Sequence, residues 1–238
     1  MQDALEPALG AIAGQTIGVT CAGRTDRGVH ALAQVVHFDT AAERPDSAWV
    51  RGVNALLPES VAVQWACRVS PEFHARYAAV SRTYRYVLLN RPVRPALAAR
   101  YAGWHHAPLQ LEAMREAAAC LVGEHDFSAF RAAECQAKTP LRTLHSLTVE
   151  RRGERIDFLV RANAFLQHMV RNIVGTLVYV GKGKYPPRWA RTVLESRDRA
   201  LAAPTFAAEG LYLEDIEYGD QWGLPTVRAA GLVLPLAT

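Results

Sequence analysis

Lysine is nearly missing from this chain. Three lysines (Lys138, Lys182, Lys184) stand among 27 basic residues, and the other 24 are arginines. Two readings fit that split. Arginine's planar fork suits bidentate phosphate contacts and stacks on bases; a GC-rich coding genome raises arginine and alanine together, and alanine is abundant here too. The formal net charge of +4 permits an anionic partner without requiring one. Cysteine is also scarce. Its four copies (Cys21, Cys67, Cys120, Cys135) are scattered with no CxxC pair, which excludes a disulfide scaffold and a cysteine-rich zinc site, so the thiols read as reduced and mostly buried. Among eight histidines only His105 and His106 are adjacent, and no HxH or HExxH spacing supports a hydrolytic metal site. No apolar run approaches the roughly 20 residues that span a bilayer. The opening MQDALEPALG carries two acids and no basic segment, so it does not read as a signal peptide, and the chain reads as cytoplasmic. Solenoid repeats and low-complexity segments are absent as well.

What is present is an ordinary globular composition, half apolar and 21% charged. At 238 residues it can bury a core as one large domain or two small ones. DALEPALGAIA (3–13) spaces Leu5, Ala8, Leu9 and Ile12 on one helical face, with Pro7 limiting its length. TIGVTC (16–21), AQVVHFD (33–39) and VAVQWAC (61–67) alternate as half-buried strands, and SAWVRGVNALL (47–57) predicts a helix closed by Pro58. A second set follows: a strand at RTYRYVLLN (82–90), a helix within 109–122, and a hairpin over 144–162 turning at Gly153. Helices at MVRNIVGTLVYVG (169–181) and WARTVLES, then a strand near GLYLEDIEY (210–218), complete it. Twice-alternating β and α elements joined by hairpins predict an α+β fold of two mixed antiparallel sheets, with a boundary between about residues 70 and 82.

One loop is chemically unusual. CAGRTDRGVHA (Cys21 to Ala31) sets Asp26 between Arg24 and Arg27, with His30 close behind. Taken singly these are plain residues: Asp26 a turn residue bonding its own backbone, Arg24 a solvated charge, His30 a packed or capping ring. Together, CAGRTDRGVHALAQVVHF resembles the signature loop of the TruA-type tRNA pseudouridine synthases, GRTDAGVHA followed by GQVVHF. Further segments extend the resemblance nearly end to end. NALLP (54–58) looks like the family's NxxLP, FHARYAAVSRTYRY (73–86) like its F-HAR…YRY entry, and FLQHMVRNIVG (165–175) like its FL-HMVRNIVG helix. GEHDFSAFRA (123–132) and AEGLYL (208–213) match as well.

The resemblance implies a pseudouridine synthase fold: two ferredoxin/RRM-like halves, residues 1–78 with the catalytic loop and 79–238, flanking a central cleft. It implies isomerisation of uridine to pseudouridine at positions 38, 39 and 40 of tRNA by a homodimer. Asp26 would be the nucleophile, Tyr84 would line the pocket and stack on the target uracil, Arg171 would pair with the carboxylate, and Arg24 would contact RNA beside the flipped base. The reaction cuts the N1–C1′ bond, turns the base and rejoins it through C5 with no net oxidation, so it needs no redox cofactor and no metal. It does need an ionised carboxylate, and an arginine within about 4–6 Å lowers an aspartate pKa by roughly one to three units. That supplies a reason for Asp26 to sit among arginines. Arg171, flanked by Met169, Val170 and Ile173, also needs an anionic partner, because burying it alone is costly. The target must leave the base stack, at a cost of a few kcal/mol, which phosphate contacts would offset in a salt-dependent way. The alternative is a tRNA-binding protein of the same fold with impaired chemistry.

Two departures from the family pattern are visible. Arg27 occupies a position where the family has a small residue, adding a positive charge beside the carboxylate. The family also begins with a strand bearing a YDG…GWQ pattern, whereas this chain starts at MQDAL inside the following helix. A misplaced start or a truncation is the expectation, the former favoured, together with lower stability than a chain carrying that strand.

Overall fold

The computed structural model describes residues 1–225 and divides into two compact units. The smaller holds Met1–Arg24, Gln34–Val80 and a stretch beginning at Glu217; the larger holds Thr25–Ala33 and Ser81–Ile216.

In the smaller unit, helix α1 (Gln2–Ala13) buries Leu5, Ala8, Leu9 and Ala13. Pro7 removes one backbone donor yet does not stop the helix, which runs on to a left-handed cap at Gly14 (φ 72°). Trp49, Val53, Ile17 and Val19 complete this core. The strand expected over 16–21 shrinks to β1 (Thr20–Cys21), paired antiparallel with β3 (Val36–His37). The reason lies in α1: Glu6 Oε1 accepts the Val19 N–H at 3.0 Å, and Gln2 donates to the Val19 carbonyl at 3.4 Å. Side chains thus take the place of ladder partners. The same substitution corrects the strand expected over 61–67, where the Asn54 amide holds both the N–H and the carbonyl of Val63 (2.7 and 2.8 Å). The expected helix over 47–57 is helical over 46–54, mainly as one wide π-type turn, Ala48–Gly52, with an α-helical residue pair on each side.

The larger unit is built on a seven-stranded mixed sheet in the order β2 (His30–Ala31), β9 (Leu211–Tyr218), β4 (Ala79–Asn90), β8 (Arg155–Ala162), β7 (Leu141–Arg152), β6 (Gly123–Asp126). Strand β5 (Gly103–His105) lies parallel to β4 off this path. The β7–β8 hairpin pairs Arg152 with Arg155 across a turn in which Gly153 takes φ 61°, a conformation glycine adopts without a Cβ clash. Helices α2 (Leu111–Ala119), α3 (Met169–Gly181) and α4 (Trp189–Ser196) pack on one another, with α2 also against β7. Helix α3 is apolar on nearly every face, as its sequence requires: Met169, Val170, Ile173, Val174, Leu177 and Val178 join Tyr86, Phe158 and Phe130 in one core. Gly175 lets a passing segment come close, since a Cβ there would lie 2.4 Å from the Pro204 carbonyl oxygen. That segment, residues 203–207, crosses the N-terminal part of α3 and bears on the site.

Candidate active site

The loop Thr25–Ala33 belongs to the larger unit and is tied to its sheet. Strand β2 runs parallel to β9, and Leu32 N–H donates to the Leu213 carbonyl at 2.8 Å. Upstream, the Asp26 carbonyl accepts the Val29 N–H at 3.0 Å, with Gly28 at φ 84° completing the turn. The backbone of Asp26, not its side chain, therefore closes the turn. His30 is a packing residue: its ring stacks on Tyr212 (centroids 4.7 Å) and Tyr101 (5.5 Å), and Nε2 donates to the Arg100 carbonyl at 2.9 Å.

The freed carboxylate faces the start of α3. His168 Nε2 lies 3.2 Å from Asp26 Oδ2, and Arg171 Nη1 lies 3.8 Å from the same oxygen. Backbone donors at a helix N-terminus favour a negative charge in this position too. Arg171 is itself held: its Nε donates to the Phe206 carbonyl at 2.8 Å, and Phe206 N–H returns a bond to the Arg171 carbonyl at 3.3 Å. His168 caps the helix with φ 61° and ψ 2°, a left-handed backbone that costs a non-glycine residue about 1–3 kcal/mol.

A buried network stands behind Arg171. Asn172, fully buried on α3, donates to the Phe130 carbonyl at 2.8 Å and accepts from Thr205 Oγ (2.7 Å) and Arg199 Nη2 (3.1 Å). Arg199 also donates to Thr205 Oγ and to the Ala203 carbonyl. Thus the segment carrying the Phe206 carbonyl is bolted to the helix that carries Arg171.

Tyr84 sits on β4 opposite Val160, its ring edge-on to Phe165 at 4.9 Å. Burial pushes its hydroxyl up to about 12, with Arg82 opposing and the Asp26 charge adding to the rise. Asp26, Arg171 and Tyr84 are thereby brought into one neighbourhood. Arg24 belongs to the smaller unit, is exposed, and makes no hydrogen bond or ion pair among the described residues. Arg27 is likewise exposed and without an ion pair among those residues. The side chains that lie against Asp26 come from the start of α3: His168 and Arg171. His168 joins the site without being among the residues expected from the sequence; its one sequence signal is its place three residues before Arg171 at a helix start, where the two share a side. Among the described residues, no group of three or more His, Cys, Asp or Glu side chains converges as a metal site would require.

The tyrosine environment carries a pH consequence. Tyr84 and Tyr212 both sit near 12 in the folded chain, against an ordinary value of 10.0. A raised folded value means the stabilisation is complete below pH 10 and lost as pH climbs through about 12. Urea midpoints should therefore hold steady up to pH 10 and fall above it, with a smaller fall in Tyr84→Phe. An equal fall in that variant would show that Tyr84 is not one of the groups responsible.

A loop carboxylate set on a helix start, flanked by a histidine and an arginine and neighboured by a partly buried tyrosine, defines a site for nucleophilic or electrostatic work on a polar substrate. The family model described as tRNA pseudouridine synthase matches residues 1–78 and 117–219. The tRNA pseudouridine synthase A of Methylobacillus flagellatus is 58% identical over 225 residues, covering 94% of this chain and 86% of that protein. Its counterpart from Aromatoleum aromaticum is 59% identical over 94% of this chain and 85% of its own length. The chain belongs to the tRNA pseudouridine synthase family.

Proposed function

We propose that this chain isomerises uridine to pseudouridine in tRNA, at positions 38, 39 and 40 of the anticodon arm, with Asp26 as the nucleophile. One observation carries the reading: the only acid of the signature loop presents its carboxylate to His168 and Arg171, in a chain 58% identical to a tRNA pseudouridine synthase A along nearly its whole length. In the proposed reaction Asp26 takes C1′ as the glycosidic bond breaks, with the Arg171 guanidinium beside the carboxylate as its counter-charge. Tyr84, whose hydroxyl stays protonated at neutral pH, offers a ring face and a hydrogen-bond donor to the detached uracil. Arg24, free of protein partners among the described residues, is assigned to RNA near the flipped base. Electrophilic and redox help are not needed, since the isomerisation exchanges one bond to C1′ for another.

The finer fold assignment, two ferredoxin-like halves with a boundary near residue 78, belongs to the same proposal; the part of the second half beyond residue 225 lies outside the described residues. So do a homodimeric state and a cytoplasmic location. No helix among the described residues is long and apolar enough to cross a membrane. The test is position mapping. Unmodified tRNA transcripts with uridine at 38, 39 or 40 are incubated with the chain, treated with a carbodiimide that marks pseudouridine, and reverse-transcribed. Stops at those three positions and nowhere else are expected. Stops confined to another arm would overturn the assignment of the site on tRNA.

A further inference from the structure

Both side chains that approach the carboxylate address the same oxygen of Asp26. His168 Nε2 and Arg171 Nη1 lie 3.2 and 3.8 Å from Oδ2, whereas Oδ1 has no hydrogen bond or ion pair among the described residues. The Asp26 side chain is about a third exposed, so a substrate can reach the carboxylate while His168 and Arg171 stand against Oδ2. We propose that His168 is a positioning residue which, with Arg171, fixes the carboxylate by Oδ2 and leaves Oδ1 as the oxygen that attacks C1′.

The proposal rests on Asp26 being the nucleophile. Its strongest support is the backbone at 168. Glycine or asparagine takes the left-handed region more readily than histidine, and strain of this kind persists where the surroundings hold it and often marks a working residue. Here the strained residue is the one in closest contact with the carboxylate. The chemistry gives the held oxygen a task in both directions. In attack, the Oδ1–C1′ bond forms as C1′–N1 breaks, and the electron pair leaves on the uracil ring. Oδ2 is then the carbonyl oxygen of the ester. In the return step the turned uracil bonds C1′ through C5, the Oδ1–C1′ pair goes back to the carboxylate, C5 gives its proton to water and N1 takes one up. Atoms and electrons balance, and the charge that reappears on Oδ2 meets His168 and Arg171 already in place. Two neighbours crowded against one oxygen also restrict rotation of the carboxylate, so that Oδ1 keeps its aim.

The test uses His168→Gly, which relieves the backbone while removing the ring, and His168→Asn, which tolerates the same backbone but fills part of the space. Single-turnover pseudouridine formation should fall about 10²-fold in both, the size of effect that misplacing a reacting group has. The tRNA dissociation constant should stay at its parental value. Added imidazole should restore part of the rate in the glycine variant and none in the asparagine variant. A parental rate in either variant would overturn the proposal, and so would a loss accompanied by weakened tRNA binding with no imidazole rescue. Asp26→Ala is run alongside: an active Asp26→Ala chain brings down the nucleophile reading itself, whereas an inactive one beside fully active His168 variants brings down only the role of His168.

Discussion

Asp26→Ala is expected to lower single-turnover pseudouridine formation by at least ~10⁴-fold, the scale on which loss of an attacking group acts in covalent catalysis. The tRNA dissociation constant should change by less than about twofold, because phosphate neutralisation by arginines supplies most of the affinity of such complexes. The two outcomes separate because the carboxylate is partly exposed and its contacts are few: His168 and Arg171, both on Oδ2. Its removal leaves Arg171 with the Phe206 carbonyl, and the loop keeps its backbone bonds to β9. Fold stability should accordingly drop by no more than about 1 kcal/mol, as for a partly exposed pair. Undiminished turnover by the alanine variant would refute the role assigned to Asp26. A variant that neither turns over nor binds tRNA would place Asp26 in binding instead.

The largest loss of stability is expected from Asn172→Leu. The substitution leaves three groups without a partner they now have: the buried Phe130 carbonyl, and the partly buried Thr205 hydroxyl as donor and one arm of Arg199. Arg199 is the costliest of these, since burial already disfavours its charge. Removing one member of such a network costs about 3 kcal/mol or more. At ~2–4 °C per kcal/mol for a chain of this size, the melting temperature should fall by about 6–12 °C. Turnover should fall as well, because Thr205 adjoins Phe206, whose carbonyl orients Arg171. Asn172→Asp keeps both acceptor contacts and gives Arg199 an ion pair but sets a carboxylate oxygen against the Phe130 carbonyl, so it should melt between Asn172→Leu and the parent. If Asn172→Leu melts within 1 °C of the parent, the 203–207 segment is held by something other than this network.

How far the sequence foretold this structure depended on where each element finds its hydrogen-bond partners. The β7–β8 hairpin, α3 and β4 were legible because their partners or buried faces follow from local period: Gly153 marks the turn, and the run from Met169 to Gly181 is apolar throughout. The strands expected over 16–21 and 61–67 were not, since Glu6, Gln2 and Asn54 supply the bonds a ladder would have made, and no periodicity announces a side chain arriving from elsewhere. The short strands β5 and β6 went unanticipated for the same reason: each exists only by pairing with a neighbour distant in sequence. At the site, Asp26, Tyr84 and Arg171 stood out through their motifs. Arg24 and Arg27 are exposed and make no ion pair among the described residues, so adjacency to Asp26 by itself gives neither a partner. His168 stood in plain view inside FLQHMVRN, yet an imidazole beside Phe165, Leu166 and Met169 reads as core. Its left-handed backbone and its reach to Asp26 are facts of the fold alone.

The central claim is that the chain is an isomerase acting on tRNA uridine rather than a protein that only binds tRNA, and loss of the C5 hydrogen tests it most directly. Transfer RNA tritiated at uridine C5 would be incubated with the purified chain in the presence of EDTA, and tritium in water counted against pseudouridine formed. The account predicts one tritium released per pseudouridine made, with no added cofactor or metal. Tight tRNA binding with no release above background would contradict it.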